Sequence, residues 1–378
     1  MKIVQTNKGY FPLIGGIETT IANLAEGLIK IYGNEVNVLV CNDKTSFFVK
    51  KEKVNGVLVT YVPVLGKIAS LPISLTYAFH LKKLRGEVLH IHEPFPLASL
   101  AILAFPGILK NFSRIVITWH SDIIRQKWAL ILYRPLLYKF LRKVDKILVS
   151  NQNLINNSPF LRYFKDSCEV IPLGVNLDWV HNAPSRLHQS KKIRQQYGTP
   201  LILFVGRLVY YKGISYLIEA LNNLQDVHCV IIGDGPLMRE IVGTINKYQL
   251  SKRIFILPCV KNQDLYAFYE ACDMLVLPSV EKSEAYGLVQ IEAMASGKPV
   301  ISTELHTGTS FVNQNGITGL IVPPRDSKSL SEAISKLVHD DALRISLGKN
   351  AKERALKEFT AEKMVERTYE VYKKLLLT

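Results

Sequence analysis

Short β-branched strands alternate with helical stretches along the whole chain, and this alternation restricts the fold more than any other feature. In the first half, Glu35–Cys41 and Val57–Val62 have strand character, and helical stretches such as Glu18–Ile31 lie between strands. The pattern restarts at Pro200–Val205 and continues with His228–Ile232. Alternation of this kind is typical of doubly wound α/β domains with parallel sheets. A chain of 378 residues suits two such domains.

The domain boundary is predicted within the segment Pro172–Val175, which gives an N-terminal domain over residues 1–172 and a C-terminal domain over 173–360. The polar stretch Asn182–Gly198, which has few apolar residues, separates the strand patterns of the two halves. The predicted strands are Lys2–Thr6, Glu35–Cys41, Val57–Val62, Val88–His92, Ile115–Thr118, Lys146–Val149, Glu169–Ile171, Pro200–Val205, His228–Ile232, Ile254–Leu257, Met274–Pro278, Pro299–Ser302 and Gly319–Val322.

The charge of the chain restricts its partners. The formal net charge is +15, and residues 1–180 hold 22 Lys and Arg against 12 Asp and Glu. A basic excess suits nucleic acid, an anionic membrane surface or acidic small substrates. The sequence has no zinc-ligand spacing, no RNA-binding aromatic signature and no basic low-complexity arm, so nucleic acid is not expected.

The cysteines and the apolar segments indicate a cytoplasmic protein. The five cysteines are scattered and odd in number, which favours small buried residues in a reducing compartment. The N-terminal residues Met1–Gln5 are predicted as a first strand rather than a signal peptide. No segment reaches the ~20 apolar residues that span a bilayer. The longest apolar candidate, Pro96–Leu109, is predicted as a buried helix.

Two glutamates, Glu284 and Glu292, mark the most informative segment. Glu284 follows the strand Met274–Pro278 and therefore lies in a loop at its carboxyl end. Glu292 lies on the helix that begins at Gly287. Two carboxylate acceptors and the free amides of a helix N-terminus suit a ligand with hydroxyl groups and phosphate. The segment therefore predicts a site for a sugar nucleotide.

The run from Glu284 to Glu292 resembles the Glu-x7-Glu signature of retaining glycosyltransferases of the GT-B fold, specifically family 4. The resemblance covers nearly the whole chain. It implies an α/β protein of the GT-B fold, with two Rossmann-like doubly wound domains facing across a cleft and the last helix, 361–378, returning to the first domain. Further motifs follow in the family's order: Gly15-Gly16, Arg114–Thr118 leading to His120, Gly206-Arg207-Leu208 followed by Lys212-Gly213, and Ile231–Pro236.

The resemblance also implies catalytic roles. Glu284 would accept hydrogen bonds from the hydroxyls of the transferred sugar, and His120 would contact that sugar from the first domain. Glu292 would bind the nucleotide ribose. The family more often has Gly-Phe-Gly where this chain has Ala285–Gly287, and an alanine in place of the first glycine loses freedom at φ > 0.

The remaining donor-binding residues are predicted from their positions. Arg207 and Lys212 follow a strand closely enough to reach one diphosphate. The glycines Gly15 and Gly16 let the backbone approach phosphate at a helix N-terminus, the backbone amides of Tyr286, Gly287 and Leu288 would hold the diphosphate and sugar, and Val260 would line the base pocket. The metal-binding pattern Asp-x-Asp is missing from the sequence, so a metal-independent reaction without a cofactor is expected.

The predicted reaction is retaining transfer of a hexose from a nucleoside diphosphate sugar to a glycan or polyprenyl-linked acceptor. The segments Gly308–Asn313 and His120–Asp122 resemble those of bacterial transferases that build surface polysaccharides, often mannosyltransferases, so GDP-mannose is the first expected donor. The stretch Ile124–Lys146 combines cations with large apolar residues. This suits packing on its own domain and peripheral contact with an anionic membrane at its inner face.

Three alternatives remain at the level of the sequence. A nucleotide-sugar epimerase shares the fold, and a transferase with a soluble acceptor shares the motifs. A dinucleotide-binding oxidoreductase is disfavoured because Met238 occupies the position of the third glycine after Gly233 and Gly235. His90 and His92 alternate along a strand end, but no third metal ligand accompanies them, and they are predicted as rim or core residues.

Overall fold

Two sheets with helices on their faces form the framework of the chain. Contacts divide the chain into unit 1, Met1–Gly174 with Ala361–Thr378, and unit 2, Val175–Thr360. The division after Gly174 lies within the predicted hinge segment. The computed structural model describes residues 1–11, 15–68, 71–122 and 127–378.

The secondary structure follows the alternation seen in the sequence. Within the described residues the strands are β1 Lys2–Asn7, β2 Glu35–Cys41, β3 Lys50–Val54, β4 Val57–Val62, β5 Gly66–Ile68, β6 Leu71–Ile73, β7 Gly86–Glu93, β8 Phe112–Trp119, β9 Lys146–Val149, β10 Cys168–Val170, β11 Leu201–Val205, β12 His228–Ile232, β13 Ile254–Leu257, β14 Met274–Leu277, β15 Val300–Thr303 and β16 Gly319–Val322. The helices are α1 Gly16–Tyr32, α2 Tyr77–Lys83, α3 Pro96–Ala104, α4 Lys127–Leu141, α5 Gln152–Asn157, α6 Ala183–Tyr197, α7 Ile214–Asn222, α8 Met238–Lys247, α9 Asn262–Ala271, α10 Leu288–Ala295, α11 Gly308–Val312, α12 Ser327–His339, α13 Asp341–Glu358 and α14 Ala361–Leu377.

The strand order of each sheet is that of a doubly wound fold. Unit 1 has the order β10-β9-β8-β7-β1-β2-β4-β3, and unit 2 has the order β13-β12-β11-β14-β15-β16. All pairings in these two sheets are parallel except that of β3 with β4. Central strands such as β11 and β14 are buried over their whole length, because helices cover both faces of the sheet.

The predicted strands are all present, with ends that shift by at most three residues. The sequence patterns missed β3 and the two short strands β5 and β6. β3 has the sequence KKEKV and pairs antiparallel with β4 at the edge of the sheet. Charged residues on an edge strand prevent pairing with other chains, and they also remove the hydrophobic signal by which a strand is recognised.

The polar stretch Asn182–Gly198 is not a separator between the halves, as the sequence suggested. It contains α6, which belongs to unit 2 and packs on α9. Polar bonds are among its contacts: Arg194 Nη1 donates to Ala271 O at 2.6 Å, and Gln189 donates to Asp264 at 3.0 Å. The sequence of α6 has no continuous apolar stripe, which is the pattern from which helices are predicted.

The last helix, α14, belongs to unit 1 and packs on α1. The rings of Tyr32 and Tyr369 stack with centroids 3.6 Å apart. A Cβ on Gly27 would lie 2.5 Å from Val365, so the two helices approach closely there. Among the described helices, none combines the length and the apolar character that crossing a membrane requires.

Candidate active site

Arg207, Lys212 and Glu284 of unit 2 lie where the strand order of its sheet reverses. β11 lies between β12 and β14, so chain connections leave this point in opposite directions. In such sheets a crevice opens at the carboxyl ends of the two strands, and ligands bind there. The loop after β11 carries Arg207 and Lys212, and the loop after β14 carries Glu284. The fold therefore brings these three residues to one edge of one sheet.

The loops after β11 and β14 are in direct backbone contact. Gly213 has a φ of 66°, and a Cβ at this position would lie 2.0 Å from the carbonyl oxygen of Pro278. The Val280 amide donates to the Tyr211 carbonyl at 2.8 Å. Glycine is required at 213 for its left-handed conformation and for this close approach. The contact fixes the position of the neighbouring Lys212.

Lys212 and Glu284 form a buried ion pair at this edge. Lys212 Nζ lies 2.5 Å from Glu284 Oε2, and the two residues are 8% and 7% exposed. The Ser279 hydroxyl donates to the same carboxylate oxygen at 3.0 Å. Charge-assisted hydrogen bonds of this kind are short and strong. A ligand that uses either side chain must therefore share or replace this pair.

The main chain around Glu284 is fixed by the start of α11. The Thr307 hydroxyl donates to the Glu284 carbonyl at 2.9 Å, and the Gly308 amide donates to the Ala285 carbonyl at 2.8 Å. Ala285 has a negative φ, so the alanine that departs from the family pattern fits its loop without strain. The loop is thus positioned by the segment Gly308–Asn313, which was singled out in the sequence for its resemblance to polysaccharide transferases.

The N-terminus of α10 faces the end of this loop. Gly287 caps the helix with a φ of 71°, and a Cβ there would lie 2.7 Å from Leu277 and 2.8 Å from Gln290. The first amides of a helix have no intrahelical acceptor and favour an anion. The Tyr286 ring is buried next to Phe311, with ring centroids 6.5 Å apart. Because its ring is buried, Tyr286 can fulfil its predicted role only through its backbone amide. The same is true of Gly287, which has no side chain.

The other donor-site residues of unit 2 differ in exposure. Arg207 is exposed, whereas Leu288 and Val260 are half-buried. Val260 follows β13, two strands from β11 in the sheet. The guanidinium of Arg207 is therefore open to solvent, while Lys212 is enclosed.

Glu292 lies on α10 and has one carboxylate oxygen already bonded. The Tyr269 hydroxyl donates to Glu292 Oε2 at 2.6 Å. Burial raises the pKa of Glu292, and the hydrogen bond from Tyr269 opposes that rise. Among the described residues, no hydrogen bond reaches the other oxygen, Oε1.

In unit 1 the strand order reverses between β1 and β7, and the predicted glycines follow β1. Gly15 is the N-cap of α1, and Gly16 is its first residue. The backbone at Gly15 is extended, and its carbonyl accepts from the Thr19 amide at 2.9 Å. A Cβ on Gly15 would lie 2.4 Å from Glu18 Oε2, so this acidic side chain already lies against the helix N-terminus.

His120 belongs to a buried cluster with His90 and His92. His92 Nδ1 lies 3.0 Å from His120 Nε2, and the rings of the three histidines stack in sequence. His90 Nδ1 lies 2.5 Å from the hydroxyl of Tyr372 on α14, and its Nε2 lies 2.7 Å from Thr118 Oγ1. His90 and His92 are therefore core residues, one of the two alternatives predicted for them.

Burial keeps this cluster uncharged. It lowers the pKa of His90 and of His120 to about 3, and it lowers the pKa of His92 well below its ordinary value. Burial also raises the pKa of the neighbouring Glu93 to about 7. His120 is thus a neutral hydrogen-bonding group at physiological pH.

Asp122, two residues after His120, accepts two hydrogen bonds. Its Oδ1 accepts from Trp119 Nε1 at 3.1 Å and from the Ser158 hydroxyl at 2.6 Å.

Within the residues that the structure describes, no group of three or more His, Cys, Asp or Glu side chains is arranged to hold a metal ion.

Comparison with known proteins decides the family. The family model for glycosyltransferase family 4 matches residues 14–179, and the model for glycosyl transferases group 1 matches residues 185–354. The chain is 33% identical to O-antigen chain mannosyltransferase C of Escherichia coli, over 100% of this chain and 99% of the relative. The chain is a family 4 glycosyltransferase. It is also 34% identical to D-rhamnosyltransferase WbpZ of Pseudomonas aeruginosa, over 96% of this chain and 93% of the relative.

Solved structures agree with the fold of this glycosyltransferase. Sucrose-phosphate synthase from Thermosynechococcus elongatus superposes with a TM-score of 0.79 at 23% identity, over 100% of this chain and 99% of that one. HepE of Anabaena, solved in complex with UDP, gives a TM-score of 0.80 at 19% identity, over 99% and 100%. The predicted GT-B fold with two Rossmann-like α/β domains is confirmed.

Three residues of the candidate site were not found by sequence reasoning. Ser279 lies two residues after β14, and its position at a strand's carboxyl end was a usable signal. Thr307 directly precedes α11, where threonine is a common helix cap. Tyr269 lies within α9, and nothing in its local sequence indicates that it reaches Glu292.

Proposed function

We propose that this glycosyltransferase moves a hexose from a nucleoside diphosphate sugar to a glycan or lipid-linked acceptor in cell-surface polysaccharide synthesis. The proposed reaction retains the anomeric configuration and needs no metal. One observation carries the proposal: Lys212 and Glu284 lie 2.5 Å apart at the switch point of the sheet, close in the chain to the N-terminus of α10. A cation, a carboxylate acceptor and free helix amides suit a sugar linked to diphosphate.

In the proposed reaction, Arg207 and Lys212 neutralise the charge that develops on the leaving diphosphate. The amides at Tyr286, Gly287 and Leu288 share this role, and Glu284 accepts hydrogen bonds from the sugar hydroxyls. The acceptor oxygen forms its bond to the anomeric carbon on the face from which the diphosphate departs. The acceptor proton passes to an oxygen of the leaving diphosphate. No protein nucleophile is needed for this sequence of bond changes.

The remaining residues are proposed to bind the donor. Glu292 accepts hydrogen bonds from the ribose through its available oxygen, and Val260 lines the base pocket. In unit 1, neutral His120 contacts the transferred sugar, and the backbone at Gly15 and Gly16 approaches phosphate. The lowered pKa of His120 supports a hydrogen-bonding role over a cationic one.

The proposed donor is GDP-mannose. Two relatives that match nearly the whole chain are named as a mannosyltransferase and a D-rhamnosyltransferase, which supports a hexose or deoxyhexose of the manno series. The test is a mass-spectrometric panel of GDP-, UDP- and ADP-sugars with a polyprenyl-linked oligosaccharide extract, with and without EDTA. We expect acceptor-dependent release of GDP from GDP-mannose at the same rate in EDTA.

The same panel separates the alternatives. Release of a free epimerised sugar without any acceptor product would indicate the epimerase. Transfer to soluble oligosaccharides at an equal rate would indicate a soluble acceptor. Loss of turnover in EDTA, restored by a divalent cation, would refute the metal-independent mechanism. An inverted anomeric linkage in the product, determined by NMR, would refute retention.

A peripheral membrane contact through α4, at the inner face of a cytoplasmic membrane, is also proposed. Ile131 and Leu132 on this helix are 64% and 79% exposed, and Leu136 is exposed as well. Arg134 and Lys139 are exposed on the same helix. Apolar side chains among cations suit an anionic bilayer, which attracts each nearby cation by about 1 kcal/mol. Ile124 and Arg125, which belong to the predicted basic stretch, lie outside the described residues.

The double substitution Ile131→Ser with Leu132→Ser tests this contact. Because a buried aliphatic side chain contributes about 1.5–3 kcal/mol, binding to vesicles of phosphatidylglycerol and phosphatidylcholine should fall at least tenfold. Ile345→Ser, which removes an equally exposed side chain from α13 of unit 2, should leave vesicle sedimentation unchanged. Equal binding by both variants would rule out α4 as the contact.

A further inference from the structure

The hydrogen bond between Tyr269 and Glu292 has no part in the function proposed above. Tyr269 lies on α9 and is fully buried, and its hydroxyl donates to Glu292 Oε2 at 2.6 Å. Tyrosine hydroxyls in protein interiors normally find a partner, so the bond alone is unremarkable. Its acceptor is the carboxylate proposed to bind ribose, which makes the geometry of the bond relevant to the ligand.

Packing holds the Tyr269 ring in one place. The Trp179 ring stacks on Tyr266, with centroids 4.2 Å apart and planes within 4°, and it lies 6.4 Å from the Tyr269 ring. The guanidinium of Arg186 lies 5.2 Å from the Trp179 ring and 3.8 Å from Glu270 Oε1. The stack joins α6, α9 and the turn before α6. The phenol is therefore a preorganised donor.

A carboxylate fixed by one donor is well suited to a vicinal diol. With Oε2 bonded to Tyr269, rotation of the Glu292 carboxylate is restricted, and Oε1 keeps a constant direction. The lone pairs of one oxygen can accept from two neighbouring hydroxyls. We propose that Tyr269 is a positioning residue, which orients Glu292 so that it binds the two ribose hydroxyls of the donor. This inference rests on the proposed role of Glu292.

The electrostatics of the pair agree with this role. Burial raises the pKa of Glu292, and the hydrogen bond from Tyr269 opposes the rise. The other titratable groups of the neighbourhood are Tyr266 on α9, Cys272 directly after α9 and Arg186 on α6, together with Glu270, the ion-pair partner of Arg186. Removal of the Tyr269 hydroxyl takes away the interaction that favours the carboxylate.

The substitution Tyr269→Phe tests the inference by calorimetric binding of GDP and UDP, each compared with its 2′,3′-dideoxy form. In the wild type the better-bound nucleotide should lose affinity when both hydroxyls are removed. The ratio of the two affinities is the ribose discrimination. Tyr269→Phe should reduce this discrimination about tenfold, because one hydrogen bond to a charged group is lost. Tyr266→Phe is the matched control, since Tyr266 shares the stack, and it should keep the discrimination of the wild type.

The pH dependence of binding distinguishes positioning from general damage. Without the Tyr269 hydroxyl the pKa of Glu292 rises further, so affinity for the ribonucleotide should fall at a higher pH on acidification. The dideoxy nucleotide should not show this shift. Glu292→Gln removes the titration, and adding Tyr269→Phe to it should cost no further discrimination, because the two residues act as a unit.

Each outcome has a definite meaning. If the wild type binds ribo- and dideoxynucleotides equally, the ribose role of Glu292 is wrong, and the inference falls with it. If ribose discrimination differs between the wild type and Glu292→Gln but is equal in Tyr269→Phe and Tyr266→Phe, the ribose role of Glu292 stands and the inference about Tyr269 alone is wrong. If Tyr269→Phe does not fold, the pH dependence of ribose discrimination in the wild type becomes the test. An acid limb of ribose discrimination that Glu292→Gln abolishes supports the ionised carboxylate, and a flat profile overturns it.

Discussion

Glu284→Gln should lower the rate of sugar transfer by about 10²–10³-fold while nucleoside diphosphate binds as tightly as before, or more tightly. The loss of rate is expected because the carboxylate is proposed to bind the sugar hydroxyls near the reacting carbon. The retained affinity follows from the ion pair. In the wild type Lys212 Nζ is held 2.5 Å from Glu284, and the neutral amide releases this cation to the diphosphate.

The same substitution should lower stability when no ligand is bound. Lys212 would keep its buried position but lose its counter-charge, and an uncompensated buried charge is destabilising. We therefore expect a lower thermal midpoint for Glu284→Gln than for the wild type, with much of the difference recovered on adding GDP or UDP. Steady-state kinetics, calorimetric nucleotide binding and thermal unfolding together check the three expectations.

Glu281→Gln is the matched control. Glu281 lies in the same loop and pairs with Arg325 at 3.4 Å, near the surface. Pairs of this kind contribute about 0–1 kcal/mol, so the control should keep both rate and thermal midpoint. A transfer rate of Glu284→Gln within threefold of the wild type would remove Glu284 from the reaction. Weaker nucleotide binding would show that Lys212 does not serve the diphosphate.

The location of this site could be predicted from sequence, but its internal contacts could not. Glu284 and Lys212 each follow a recognisable strand, which is sufficient to place both at the carboxyl edge of a parallel sheet. That they meet as an ion pair depends on β11 and β14 being neighbours, which a pattern of alternating strands does not specify. Ser279 and Tyr269 are similar cases, because a single hydroxyl leaves no periodic signal.

The secondary structure could likewise be predicted only in part from the sequence. Strands with buried apolar residues on both faces, such as β11, were predicted closely, whereas the charged edge strand β3 and the polar helix α6 were not. Hydrophobic periodicity reports contacts with a core, and neither of these two elements has a regular apolar pattern in its sequence. His90 and His92 were visible as an alternating pair, but the partners of His90, Thr118 and Tyr372, lie on β8 and the distant α14.

Acidification should destabilise unit 1 more steeply than unit 2, because the histidine cluster of unit 1 is held neutral. His90 and His120 have folded-state pKa values of about 3, against 6.5 when unfolded, and the pKa of His92 is also far below 6.5. The unfolded chain therefore binds three more protons at these sites as pH falls below 6.5. By linkage, the stability that the three neutral histidines contribute is lost as pH falls.

Glu93 acts in the opposite direction. Its pKa is about 7 in the folded state against 4.5 when unfolded, so the folded chain binds the extra proton between these values. This contribution to stability is present at low pH and is lost as pH rises towards 7. Near pH 5 the unfolded chain binds about three more protons at the histidines, whereas the folded chain binds about one more at Glu93. The unfolded chain therefore binds about two more protons in total. The free energy of unfolding should therefore fall as pH is lowered through this range, with a slope of about two protons.

Hydrogen exchange of peptides from β7 and β8, corrected for the intrinsic effect of pH, measures this dependence in the intact protein. Peptides from β11 and β12 of unit 2 are the internal control, since their one histidine, His228, is only half-buried. His92→Asn keeps a hydrogen-bonding group near His120 but removes one titration, so it should reduce the slope by about one proton. His188→Asn, at an exposed position on α6, should leave it unchanged. Parallel loss of protection in both units would mean that the cluster does not set the acid stability. A selective loss of protection in β7 and β8 would show that the neutral state of His120 is coupled to the folding of its own unit.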